Sequence, residues 1–168
     1  ALEKREIIFQ RNASVFTGST AYLFKHEMLR EVAYESVLLR MRPAYHKQVA
    51  DWLTHESGER VAEYAGLIAD HYEKAREKIP AAQMYEMAGN RARELSNPQL
   101  ALSHYHKVLE LIAEEPHQLN WRVSILQQVA ELLQMQARLV EAAEAYNTMR
   151  QLAEVDGNLS AQANALVG

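Results

Sequence analysis

Ala65–Ala88, AGLIADHYEKAREKIPAAQMYEMA, decides how the rest of the chain folds. It holds two short amphipathic patterns broken at Ile79–Pro80, with small residues where two helices would touch. Ala81, Tyr85 and Ala88 stand at i, i+4 and i+7, a spacing that places them on one stripe of a helix. The stripe returns as Ala101, Tyr105 and Val108 and again as Ala142, Tyr146 and Met149. Three of the eight tyrosines have alanine four positions earlier, and all three occupy the same place in a helix bounded by proline or loop residues. The units start 20 and 41 residues apart (81, 101, 142), so the array they form is irregular. A plain helical bundle with alanine-rich contacts is the ordinary alternative.

Working outward, the four prolines (Pro43, Pro80, Pro98 and Pro116) each fall where one helical pattern has stopped and another begins. Proline is tolerated there because the first-turn amide has no intrahelical acceptor. Asn97 precedes Pro98 as an N-cap. The expected helices run over 26–41, 43–57, 59–76, 79–95, 98–114, 117–136, 138–154 and from 158 on. Their short connections make sequential helices antiparallel neighbours. In the first, Met28, Val32, Tyr34 or Glu35, and Leu38 or Leu39 are expected on one face. In the second, Tyr45, Val49, Trp52 and Leu53 are expected inward, with Gly58 closing the helix in a left-handed cap. Gly66 and Gly89 lie inside helices, where glycine costs about 1 kcal/mol against alanine, and the expected compensation is close helix approach. Asp156–Gly157 makes the last turn.

Before the helices, EIIFQ (6–10) and AYLF (21–24) flank a turn-rich stretch containing Gly18, which predicts a two-stranded hairpin. The fold class expected is therefore mainly α, an antiparallel helical-hairpin array with a small N-terminal β-hairpin over about 6–24. Residues 1–57 form one segment, and 58–168 form the repeats.

At 168 residues the chain can bury about 70% of its unfolded surface. Eighteen basic against 22 acidic residues give a net charge of −4, which argues against nucleic acid or an anionic membrane as the main ligand. No cysteine is present, which fits a reducing, cytoplasmic setting, and no run approaches a membrane span. The abrupt start and the end within a helical pattern predict a piece of a longer protein. Asn12–Ala13–Ser14 matches a glycosylation sequon that no secretory signal supports.

No phosphate-binding Gly-x4-Gly-Lys motif, no Gly-x-Ser-x-Gly elbow and no His-Glu-x-x-His signature occurs; position 30 in HEMLRE is Arg. His104 and His106 are two apart on a helix and cannot easily share an ion, so no metal and no cofactor is implied. The expectation is a non-enzyme. Arg40, Arg42, His46 and Lys47 form a basic cluster, and a DNA-binding transcription regulator that sets the hairpin and this cluster on phosphate is the alternative reading.

The stripe resembles the tetratricopeptide repeat, in which small residues on a first helix meet an Ala-x3-aromatic-x2-small stripe on the second. Ala69 and Tyr72 stand 12 and 9 residues before Ala81, and Ala130 and Leu133 stand at the same distances before Ala142. These two matches cover about 62–95 and 123–156, while the helix at 98–114 fits only the second-helix half. The last residues, NALVG, look like the start of a further repeat. The resemblance implies that the Ala–Tyr stripe is packing and that a protein or peptide partner, possibly another domain of the same protein, meets the first helices. The residues placed on that face are Glu63, Gly66, Asp70, Glu73 and Lys74, then Ser124, Gln127, Glu131, Gln134 and Met135.

YLFKHEMLREVAYESVLLRMRPAYHKQVADWL (22–53) is similar to the end of the winged-helix segment in bacterial STAND-class signal-transduction ATPases, which are followed by helical repeats. That similarity implies a regulatory arm of a larger protein, with the 6–24 hairpin as the wing and Ala1–Arg5 as the tail of a preceding helix. His26 matches the histidine of the family's Met-His-Asp motif, which senses the β-phosphate of bound ADP; Lys25 and Glu27 depart from it. The ordinary reading of His26 is a surface or capping histidine, and any nucleotide contact belongs to the full-length protein.

Overall fold

The computed structural model describes residues 6–11, 14–16, 18–115 and 117–156. Within them a two-stranded hairpin leads into a chain of helices. Strands β1 (Ile8–Gln10) and β2 (Tyr22–Phe24) pair antiparallel, with Ile8 opposite Phe24 and Gln10 opposite Tyr22. The helices are α1 (Glu27–Glu35), α2 (Arg42–Ser57), α3 (Val61–Lys74), α4 (Lys78–Glu94), α5 (Pro98–Leu111), α6 (Leu119–Met135) and α7 (Leu139–Asp156). From α2 to α7 consecutive helices pack on one another, as short connections require. Among the described residues no helix is long and apolar enough to cross a membrane.

Pro43, Pro80 and Pro98 all fall in the first turn of their helices. The side chain of Asn97 accepts the Leu100 amide at 3.2 Å, the capping bond expected of it. Pro116, the tail Ala1–Arg5, the sequon residues Asn12 and Ala13, Gly157 and the further repeat from 158 on lie outside the described residues.

The first helix departs from expectation. It ends at Glu35, and only a single turn of 3-10 helix, Leu39–Met41, precedes α2. Ser36 turns its hydroxyl onto the carbonyl of Ala33 at 2.7 Å, competing with helix continuation, and Leu38 is extended (φ −53°, ψ 131°). Arg42 then takes the carbonyls of Val37 and Glu35, each at 3.2 Å. No residue of α1 is buried: Met28 is 74% exposed and Leu39, beyond it, 75%. On α2 only Ala50, Leu53 and Ser57 are buried, so Tyr45, Val49 and Trp52 form a half-open flank rather than an inner face. Gly58 does end α2 at positive φ (+51°), but its ψ of −126° is not the left-handed helical value.

Three joints share one backbone design. Arg76, Ser96 and Ala137 each take positive φ (64°, 56° and 57°) just after α3, α4 and α6. In each joint that residue's amide bonds three residues back, and the next amide bonds five residues back: Glu77 to Tyr72, Asn97 to Ala92 and Arg138 to Leu133. This is the doubly bonded left-handed helix ending, usually supplied by glycine. The next helix starts at once, with Ala81, Ala101 and Ala142 bonding back to Glu77, Asn97 and Arg138. Positions 76, 96 and 137 repeat the 20 and 41 spacing of the alanine stripe. A left-handed conformation costs a non-glycine residue about 1–2 kcal/mol, against about 0.5–1 kcal/mol of extra chain entropy lost by glycine. Ala137→Gly is therefore expected to stabilise the fold by about 0.5–1 kcal/mol and to raise the melting temperature by about 1–4 °C; a lower melting temperature would sink this account of the joint.

The core runs along the helix joints. Ile68, Tyr105, Val108, Ile112, Ile125 and Met149 are the largest wholly buried apolar side chains, with Ala69, Ala81, Ala101 and Ala130 also fully buried between helices.

Candidate partner-binding face

The tyrosine stripe fixes what the helix surfaces offer. Tyr85 on α4 is buried, and its hydroxyl reaches back to Asp70 Oδ1 and Glu73 Oε2 on α3, each at 2.6 Å. Tyr105 on α5 donates to Asn90 Oδ1 on α4 at 2.7 Å, and Tyr146 on α7 donates to Gln134 Oε1 on α6 at 3.1 Å. Each acceptor stands 15 or 12 residues before its tyrosine. An aromatic body packed between helices with its hydroxyl at the polar edge is how a buried tyrosine is satisfied.

This register resolves the helix at 98–111. Gly89 and Ala92 stand 12 and 9 residues before Ala101, the positions of Ala69 and Tyr72 before Ala81. A methyl group added at Gly89 would lie 2.6 Å from Tyr105 Cε1, so the ring sits on the bare backbone of α4. Helix α4 thus presents its Ala81–Tyr85–Ala88 stripe to α3 and its Gly89–Ala92 edge to α5. The sequence signal for this was available, but glycine stood where alanine does in the other two joints.

The residues expected on the α3 face fare unequally. Glu63 is exposed and paired with Arg60 at 2.8 Å. Gly66 is half-buried beneath His104, whose Cε1 would touch an added methyl group at 3.4 Å. Asp70 and Glu73 share the one phenolic proton of Tyr85, and Glu73 Oε1 also accepts Lys107 Nζ from α5 at 2.9 Å. Burial works to raise the pKa of Glu73, but the bonds from Tyr85 and Lys107 outweigh it and hold the carboxyl below its ordinary range. Burial, followed by the two carboxylates, drives the Tyr85 phenol far upward. Lys74 is exposed.

On α6, Ser124 is exposed, Gln127 donates to Glu131 at 3.0 Å, and Gln134 is engaged by Tyr146. Met135 is 82% exposed. It borders a cavity of about 240 Å³ together with Arg93, Ser96, Pro98 and Leu132. Because α3 packs on α2 and α4 while α6 packs on α5 and α7, the two sets occupy separate hairpins.

His26 is exposed at the N-cap of α1; its carbonyl accepts Leu29 and Arg30, and its side chain caps nothing. His104 stacks on Tyr85 with ring centroids 5.7 Å apart, whereas His106 is exposed. Among the described residues no group of three or more His, Asp or Glu is placed to hold a metal ion. Most of the basic cluster is committed internally. Arg42 holds two carbonyls and lies over the Tyr34 ring at 4.6 Å, and Lys47 pairs with Asp51 at 3.0 Å. His46 bonds Tyr34 and His71, a pairing the sequence does not announce because the partners stand 12 and 25 residues away.

No family model matches the chain, and neither does any curated protein or solved structure.

Proposed function

We propose that the chain is a non-catalytic interaction and regulatory module, a tetratricopeptide-like α-solenoid that holds a protein or peptide partner on its first-helix faces. The observation that carries this reading is the shared geometry of three joints: the same left-handed helix ending at 76, 96 and 137, followed by a tyrosine bonded 15 or 12 residues back. A stack of such joints builds extended surface rather than an enclosed pocket, which suits peptide or domain recognition. Within this reading, the α6 face carries more of the recognition. Ser124, Glu131 and Met135 are exposed there, whereas on α3 Asp70 and Glu73 hold a tyrosine. We extend the proposal to the setting: an arm of a larger bacterial signalling ATPase, in which the hairpin and α1 connect the repeats to the nucleotide site and His26 faces it.

Peptides selected from a random library on the immobilised chain provide the test, with affinities read by calorimetry. Ser124→Arg combined with Glu131→Lys is expected to weaken the selected peptides on the order of tenfold, the scale of one or two interface hot spots, without changing the melting temperature. Affinities unmoved by that pair would remove the α6 face from the proposal.

A further inference from the structure

The joint between α1, α2 and α3 contains a chain of three side chains that packing alone does not call for. Tyr34 closes α1, His46 lies in the first turns of α2, and His71 lies near the end of α3. The Tyr34 hydroxyl is 3.0 Å from His46 Nε2, and His46 Nδ1 is 3.0 Å from His71 Nδ1. The imidazole rings lie with centroids 5.1 Å apart and are tilted by 48°. Together with Val37, Tyr45 and Val49 they line an apolar cavity of about 290 Å³.

The proton count of this chain is restrictive. With both imidazoles neutral, Tyr34 donates to His46 Nε2 and His46 Nδ1–H donates to His71 Nδ1, so each of the two contacts has one donor and one acceptor. One added proton is also tolerated: His46 as imidazolium donates from both nitrogens, to the Tyr34 oxygen and to His71. A second proton is not. It places two N–H groups and two positive charges against each other across 3.0 Å. The surrounding charges do not relieve this. Arg42 on α2 and Lys74 on α3 add positive potential; Asp70 is the one acid acting on His71, and α1 contributes only the phenol. Beyond this chain, α1 has no buried residue and packs on β2, and its end rests on Arg42, which bonds the carbonyls of Glu35 and Val37 and lies over the Tyr34 ring.

We propose that Tyr34, His46 and His71 form an acid-sensitive latch that fixes the α1 end of the N-terminal segment to the α2–α3 pair and releases it when both imidazoles carry a proton. Burial first, and then the positive neighbours, push both imidazoles below their ordinary pKa. For a histidine so displaced, the unfolded or released state binds more protons. The latch is therefore complete above the free value of about 6.5 and is lost as pH falls through the lower, latched values. This inference does not depend on a partner or on the repeat reading.

Amide hydrogen exchange on the 168-residue chain, corrected for the intrinsic pH dependence, tests it. Between pH 7.5 and 5, protection across 30–41 is expected to fall by about tenfold, while α6 amides stay unchanged. His71→Phe keeps a ring but cannot ionise, and it should flatten the pH step; His46→Gln should do the same if the first variant fails to fold. Ring titration of the unaltered protein by NMR gives a second reading, with the second proton bound well below the ordinary histidine value. Equal protection at both pH values, a step retained in either variant, or two independent rings at the ordinary value would overturn the latch.

Discussion

Gly89→Ala should destabilise the protein by about 1–3 kcal/mol even though alanine is the better helix former by about 1 kcal/mol. The added methyl group would stand 2.6, 2.9 and 3.1 Å from Cε1, Cδ1 and Cζ of Tyr105. That ring has no easy retreat: Tyr105 is 0% exposed, and its hydroxyl is held by Asn90 at 2.7 Å. Relief requires α5 to shift away from α4, which disturbs Ala101, Leu102 and Val108 in the same core. For a chain of this size the melting temperature should drop by about 3–10 °C. Gly66→Ala is the internal control. Its methyl group would meet His104 at 3.4 Å, an ordinary contact, so the helix-propensity gain of about 1 kcal/mol should survive and stability should rise or hold. Calorimetric melts of the two variants should move in opposite directions. Gly89→Ala melting at or above the unaltered protein would sink the close-packing account of the α4–α5 joint.

That glycine also marks where the sequence was legible and where it was not. The starts of α2, α4 and α5 followed from punctuation with a local physical cause: Pro43, Pro80 and Pro98 in first turns and Asn97 as a cap. The alanine and tyrosine stripe followed from helical periodicity and is buried as read, except at Tyr146, which is half-buried. The double use of α4 was hidden because Gly89 carried the cost of a helix interior but not the direction from which a ring approaches. The left-handed endings were hidden more completely. Arg76, Ser96 and Ala137 have no common chemistry, and the conformation is imposed by the helices on either side. Apolar periodicity also overstated burial. Met28, Val32, Tyr45 and Trp52 have the right spacing, but spacing does not say whether anything covers the stripe. On the candidate face, the register placed residues on α3 and α6. Only the hydroxyl positions of Tyr85 and Tyr146 revealed that Asp70, Glu73 and Gln134 are already engaged.

Ile112→Ala should cost about 2–5 kcal/mol, the range for removing a large apolar side chain from a closed site. Ile112 is 0% exposed at the C-cap of α5, where the chain turns toward α6, and shares a core with Ile125 and Val129 of α6. The α5–α6 joint is the narrowest between consecutive helices from α2 to α7, and among the described residues it shows no left-handed ending like that of the three repeated joints. Side-chain bonds that reach α6 from the preceding helices include Trp121 Nε1 to Glu86 Oε2 on α4 and Gln99 Nε2 on α5 to Gln136 Oε1, each 2.7 Å long. A cavity at Ile112 therefore removes packing where the array has least to spare. The loss should be uneven: amides of α6 and α7 should lose protection first and most, while α3 and α4, braced by Ile68, Tyr72 and Tyr85, keep theirs until global unfolding. Hydrogen exchange read helix by helix decides it. A uniform fall across α3–α7 would mean that the array unfolds as one cooperative unit and that the α5–α6 joint is no weaker than its neighbours.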